Sequence, residues 1–202
     1  MQITSLNKDK KHLMRIIFND ESECFLDNDV VFENGLSVGT DVDEDKLKEL
    51  RFCSDYKRAK SRALWYLDRM DYTEKAIFEK LCKAGFSKEA SAKVLANLCE
   101  FGLIDDRRYA ERMAERLISS NVSKREALNK MYLKGIPLEI AKEVLSENDC
   151  DEDSQIKALL EGKFAYKLTL EKGPEKVFAA LVRKGFSYSA VRSAMKQYIE
   201  EI

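Results

Sequence analysis

Apolar residues recur along most of this chain at alternating steps of three and four, and the pattern itself repeats. Three windows, 73–95 (TEKAIFEKLCKAGFSKEASAKVL), 123–145 (SKREALNKMYLKGIPLEIAKEVL) and 173–195 (GPEKVFAALVRKGFSYSAVRSAM), align without a gap. Eight columns are apolar in every copy. They are Ile77/Ala127/Val177, Phe78/Leu128/Phe178, Leu81/Met131/Leu181, Cys82/Tyr132/Val182, Phe86/Ile136/Phe186, Ala90/Ile140/Ala190, Val94/Val144/Ala194 and Leu95/Leu145/Met195. That spacing defines one face of a helix. Gly85, Gly135 and Gly185 hold one column at steps of fifty residues.

Each of these glycines follows an amphipathic stretch and precedes an apolar residue, the pattern of a helix that ends in the left-handed conformation. The three are therefore predicted helix caps. New helices are expected to start at Ser87, around Pro137 and at Ser187, where serine serves as N-cap and proline suits a first turn. Thr73 and Ser123 are expected to cap the preceding helices, and Ser123-Lys124-Arg125-Glu126 has the capping-box pattern. Further helices are predicted over about 56–69, 107–119 and 154–170. Three helices in fifty residues bury little apolar surface alone, so neighbouring units are expected to stack. The predicted fold class is mainly α: tandem three-helix repeats in an elongated curved body, with a small module at the start. The expected boundaries are 1–54 for that module and 55–105, 106–152 and 153–202 for the repeats.

The module reads differently. KHLMRIIF (11–18), a turn at Asn19-Asp20-Glu21-Ser22 and ECFL (23–26) predict a β-hairpin. DNDVVFENGL (27–36) is a short helix or a third strand. Gly35 and Gly39 punctuate a loop, and DEDKLKELRF (43–52) begins a helix with its acidic residues at the favourable end.

Composition adds the surface. Charged residues make up 35% of 202 and apolar residues 45%. The formal net charge of -1 hides a balance of -6 over 1–50, +4 over 51–150 and +1 over 151–202. This middle excess is smaller than the footprint of a dedicated duplex-DNA binder. Arg108, Arg112 and Arg116 form a stripe at helical spacing, with Arg58, Arg62 and Arg69 a sparser one. Lys124, Arg125 and Lys130 add charge nearby. Such a surface suits phosphates or an acidic partner. Glu111 and Glu115 are placed to offset it, so a solvated face is the competing reading. Trp65 is expected in the core, with stacking on a base as its alternative, and Tyr66 is left open.

No catalytic set appears. The sole histidine, His12, lies in the expected first strand, and Asp105-Asp106 reads as a helix N-cap rather than a paired-carboxylate site. Cys24, Cys53, Cys82, Cys99 and Cys150 form no close pair and are expected as free thiols, with Cys82 and Cys99 at apolar helical positions. No metal, cofactor or enzymatic activity is expected. The opening residues show no long apolar run, so neither a signal peptide nor a membrane span is expected, and a reducing cytoplasmic setting fits.

With these residues placed, the chain resembles the RecX family of regulatory proteins. The resemblance is carried by RALWYLDRMDYTEKAIFEKLCKAGF (62–86), LCEFGLIDDRRYAERMAERL (98–117) and YLKGI (132–136). Arg62, Leu64, Tyr66, Leu67, Arg69, Thr73, Leu81, Gly85, Phe86, Gly102, Leu103, Asp105, Asp106, Tyr109 and Ala110 match its pattern. It covers about 55–147 well and the third unit more loosely, and the first module resembles that of longer Gram-positive members. Two positions depart: Ser119-Ser120-Asn121-Val122 stands where the family often has a Gly-rich or basic link, and Met131 where Leu is common. The resemblance implies a non-enzymatic regulator, mostly an inhibitor, of the recombinase RecA. It implies binding along the groove of the RecA–single-stranded-DNA filament, with effects on recombination, repair and the SOS response. A monomer with no membrane contact is expected. The alternative is a nucleic-acid-binding helical repeat protein acting without RecA.

Overall fold

The computed structural model describes residues 1–9, 12–148 and 151–200. Lys11, expected in the first strand, and Cys150 lie outside them. The chain divides into two compact units, 1–104 and 105–202.

The first unit opens with a three-stranded antiparallel sheet in the order β1 (Ile3–Lys8), β2 (Leu13–Phe18), β3 (Glu23–Asp27). The expected hairpin is β2–β3, with Met14 opposite Leu26 and Ile16 opposite Cys24. Its turn places Glu21 at φ 62°, and the Asp20 carboxylate accepts from the Ser22 N–H at 3.1 Å. β1 is an addition to the sequence reading. Only Ile3 of its six residues is buried, so its polar sequence shows no apolar run. His12 precedes β2 at φ 61° and is exposed, so it is a turn residue rather than a strand residue. Over 27–36 the choice falls to helix: α1 (Asn28–Glu33) is capped by the Asp27 carboxylate, which accepts from the Asp29 N–H at 3.0 Å.

Helix α2 (Glu44–Leu67) joins the helix start expected over 43–52 and the helix expected over about 56–69 into one, running unbroken through residue 54. Asp43 caps it, accepting from the Lys46 N–H at 2.7 Å. Its first half buries Leu47 and Leu50 in the sheet's core, with Ile3, Ile16, Phe18, Leu26 and Val31. Its second half buries Ala59 and Ala63 in a separate core with Ile77, Leu81, Val94, Leu95, Leu98 and Ile104. Between them Ser54, 1% exposed, accepts from the Asp27 N–H at 2.8 Å and ties the sheet to the helix. α3 (Glu74–Lys83) and α4 (Lys88–Glu100) complete the unit.

The second unit holds one group of three helices and one of four. α5 (Asp106–Ser119), α6 (Lys124–Leu133) and α7 (Leu138–Glu147) surround Ala110, Met113, Ala127, Met131, Ile136 and Val144. α8 (Glu152–Glu161), α9 (Ala165–Leu168), α10 (Gly173–Arg183) and α11 (Tyr188–Glu200) surround Ile156, Leu160, Phe164, Leu181, Phe186 and Val191. The single helix expected over 154–170 is two. The backbone turns at Gly162 (φ -99°, ψ -93°) so that Phe164 enters the core at 3% exposure. α9 then approaches the start of α10 so closely that a Cβ on Gly173 would lie 2.0 Å from the Lys167 carbonyl oxygen.

The column pattern is a burial pattern. Leu81, Met131 and Leu181 are each 0% exposed, while the Cys82/Tyr132/Val182 column lies at the rim and Tyr132 is exposed. Each repeat glycine closes its helix in the same way. Gly85, Gly135 and Gly185 have φ 91°, 88° and 96°. Their N–H groups donate to Cys82, Tyr132 and Val182, and the next N–H reaches back to Leu81, Met131 and Leu181. This is the double hydrogen bond of a left-handed helix end. Asn121 (φ 55°) closes α5 alike, in the link where the family pattern often has glycine.

The N-caps at Thr73, Ser87, Asp105, Ser123 and Ser187 all accept from a backbone N–H three residues on. The capping box at Ser123 is only half formed. Glu126 turns away to Lys130 (2.8 Å) and Lys184 (3.6 Å), which together hold its carboxyl below the usual range. The Ser123 hydroxyl donates instead to the Lys184 carbonyl at 2.6 Å, joining α6 to the end of α10. Arg107 joins α5 to α7: it pairs with Glu111 (3.2 Å), Glu143 (3.2 Å) and Glu147 (2.7 Å).

Two predictions follow from these contacts. A Cβ at Gly85 meets nothing within 4 Å, so Gly85→Ala carries only the left-handed backbone cost, about 1 kcal/mol. At Gly185 it would lie 2.8 Å from the Ser123 Oγ and 3.0 Å from the Arg125 Cβ. Overpacking there adds about 1–3 kcal/mol. Urea midpoints should fall further for Gly185→Ala, and equal shifts would show that this corner gives way freely. Arg107→Ala leaves three carboxylates facing one another, so it should lower the thermal midpoint by an amount that shrinks as salt is added. A salt-independent loss would point to lost packing instead.

Candidate partner-binding surfaces

In the first unit the end of α2 gathers cations onto aromatic rings. Trp65 is 45% exposed, not in the core as the sequence suggests. Its ring is approached from one turn before by Arg62, 5.3 Å from the ring centre, and from one turn after by Arg69, at 3.5 Å. Arg69 also donates from Nη1 to the Trp65 carbonyl at 3.1 Å, which satisfies an acceptor that the helix end leaves open. Tyr66 stands edge-on to Trp65 (5.3 Å) and to Tyr72 (6.1 Å). The Lys80 Nζ lies 4.9 Å from the centres of both tyrosine rings.

Arg58 belongs to the same stripe and does a different job. It is half-buried, its guanidinium sits 5.5 Å from the Phe86 ring, and Asp55 lies 3.9 Å away. Phe86 is the apolar residue that follows the Gly85 cap, so Arg58 covers the repeat's own corner.

In the second unit Arg108, Arg112 and Arg116 are exposed along α5, as their spacing predicts. Glu111, expected to offset Arg108, is 3.2 Å from Arg107 instead. Lys124 and Arg125 are exposed at the start of α6. Both line a crevice of about 550 Å³ with Glu152, Gln155, Gly185 and Tyr188. Arg183 and Lys184 lie beside Arg125 on the neighbouring cavity.

The structure thus brings Arg62 and Arg69 together on one tryptophan, and Lys124 and Arg125 together on one crevice. It turns Arg58 to packing. Sequence reasoning missed Tyr72, Lys80 and Arg183. Lys80 reaches the tyrosines from α3 and Arg183 reaches the cavity beside Arg125 from α10, so neither shares a helix face with its neighbours there. Only the alternation of cations and aromatics over 62–72 hinted at the first cluster. Among the described residues, no helix is long and apolar enough to cross a membrane, and no group of three or more His, Cys, Asp or Glu is placed to hold a metal ion.

Comparison with known proteins bears on this geometry. The family description "RecX, first three-helix domain" matches residues 59–98, which run from Ala59 in α2 to Leu98 in α4. Regulatory protein RecX of Streptococcus pneumoniae (strain JJA) is 31% identical over 196 residues, which cover 96% of this chain and 76% of that protein. Regulatory protein RecX of Clostridium tetani is 27% identical and is covered over 94% of its length. A crystal structure of a regulatory protein RecX superposes with a TM-score of 0.69 at 24% identity, covering 96% of this chain and 98% of that one. RecX from Lactobacillus salivarius superposes at 0.65 and 23%, covering 74% and 99%. These two show the shared fold. Similarity at this level runs through the sheet as well as the helices, and it establishes that the chain belongs to the RecX family of regulatory proteins.

Proposed function

We propose that this protein regulates the recombinase RecA by binding the RecA–single-stranded-DNA filament, limiting its extension or activity in recombination and repair. The observation that carries this reading is similarity to relatives named regulatory protein RecX over nearly the whole chain. The protein acts by binding rather than by catalysis, as a monomer in the cytoplasm. The exposed α5 stripe supports the reading, because a filament groove offers both carboxylates and phosphates to a row of guanidinium groups.

Adding the protein to RecA on single-stranded DNA should lower ATP hydrolysis and strand exchange. No change at several-fold excess, with no binding to the filament, would overturn the proposal. Replacing Arg108, Arg112 and Arg116 together by Ala should weaken filament binding while leaving helix content intact by circular dichroism, and unchanged binding would return the stripe to a solvated face. The rival reading, action on DNA without RecA, rests on the same arginines. It predicts tight, strongly salt-dependent binding to bare DNA that RecA does not improve.

A further inference from the structure

The cation–aromatic cluster at the end of α2 sets its cations on rings rather than on carboxylates. Arg15 pairs with Glu23, Lys57 with Asp29 and Glu33, and Arg107 with three glutamates. Arg62, Arg69 and Lys80 have no carboxylate within ion-pair distance among the described residues, and their contacts are rings and one carbonyl. Asp68, next to Arg69 in the chain, forms no ion pair with it. The three cations are therefore laid over three linked rings.

A guanidinium has five donors in a planar fork. The Arg69 guanidinium lies over Trp65, 3.5 Å from the ring centre, and spends one donor on the Trp65 carbonyl. Its remaining donors form no ion pair among the described residues. Such a fork suits a phosphate, which accepts two parallel hydrogen bonds. Around it, partly exposed rings and the outer faces of the guanidinium groups offer stacking planes, which serve any base. A surface for an acidic protein would need the cations but would leave that stacking unused.

We infer that the Trp65 cluster is a contact for a nucleic-acid strand, with Arg62, Arg69 and Lys80 meeting phosphates and Trp65, Tyr66 and Tyr72 lying against bases. This goes beyond the RecA reading and does not depend on it.

Trp65 is the only tryptophan in the chain, so its fluorescence reports on this place alone. Titration with oligothymidylate in the absence of RecA should change that signal, and the affinity should fall with salt. Arg62→Ala with Arg69→Ala should weaken binding roughly tenfold and reduce the salt slope by about 1.4, two single-strand phosphate contacts. Arg62→Lys with Arg69→Lys should keep most of the salt slope but lose affinity, because point charges replace forks. Lys48→Ala, an exposed change at the other end of α2, should alter neither. An abasic strand of the same length should bind more weakly than oligothymidylate.

Three results would overturn the inference: no fluorescence change, an unchanged salt slope in the double alanine variant, or an equal response to poly-L-glutamate. The last would assign the patch to an acidic protein. No RecA enters this titration, so its failure leaves the RecA reading standing, and a failed RecA ATPase assay leaves this surface standing.

Discussion

A short amphipathic helix in this protein must stop abruptly and send the chain back across its own apolar face. The left-handed residue at each helix end makes that possible. At Gly85, Gly135 and Gly185 two backbone hydrogen bonds consume carbonyls that the helix end would otherwise leave open, and the following Phe86, Ile136 or Phe186 turns inward. The direction of the next helix is set within a few residues, before any distant contact forms. The Leu81, Met131 and Leu181 column can then face the same core as the Val94, Val144 and Ala194 column. The corners are not interchangeable in their surroundings. Gly85 borders open space, whereas Gly185 sits against Ser123 and Arg125, so the third group is locked to the second through the same residue that ends its helix.

Charge is partitioned with similar economy. Arg107 and Glu126 sit beside residues that the sequence marks as surface, and their bonds run across to other helices. Arg108, Arg112 and Arg116 are exposed along α5. At the end of α2 the rings of Trp65, Tyr66 and Tyr72 take the place that carboxylates hold beside Lys57 and Arg107.

The repeats were legible in the sequence because helical spacing and left-handed glycines are local signals that recur. The same holds for the N-caps at Thr73, Ser87, Ser123 and Ser187. What escaped was decided at longer range. β1 is too polar to look like a strand and exists because β2 offers it an edge. The start of α2 at 43–52 was readable, but its continuity with the helix from about 56 was not, because its first turns face a different core from the rest and no single stripe spans 44–67. The break at Gly162 answers to the burial of Phe164, which no local rule announces. At the candidate surfaces, arginine spacing within one helix was readable. The reach of Lys80 to two tyrosines and of Arg183 to the cavity beside Arg125 was not, because each crosses from another helix. Trp65 was misplaced because a large aromatic in an amphipathic stretch usually packs inside, and here it stays 45% exposed with Arg62 and Arg69 against its ring.

α2 has a further consequence for how this chain can change over evolutionary time. One helix of 24 residues carries the floor of the sheet at one end and a wall of the first three-helix group at the other, with Ser54 pinned to a strand between them. The sheet is therefore not a cassette that can be deleted or exchanged at a loop. Removing it would strip Leu47 and Leu50 of their cover and leave an apolar half-helix projecting into water. Any rearrangement of the front of this protein has to rebuild that spine at the same time.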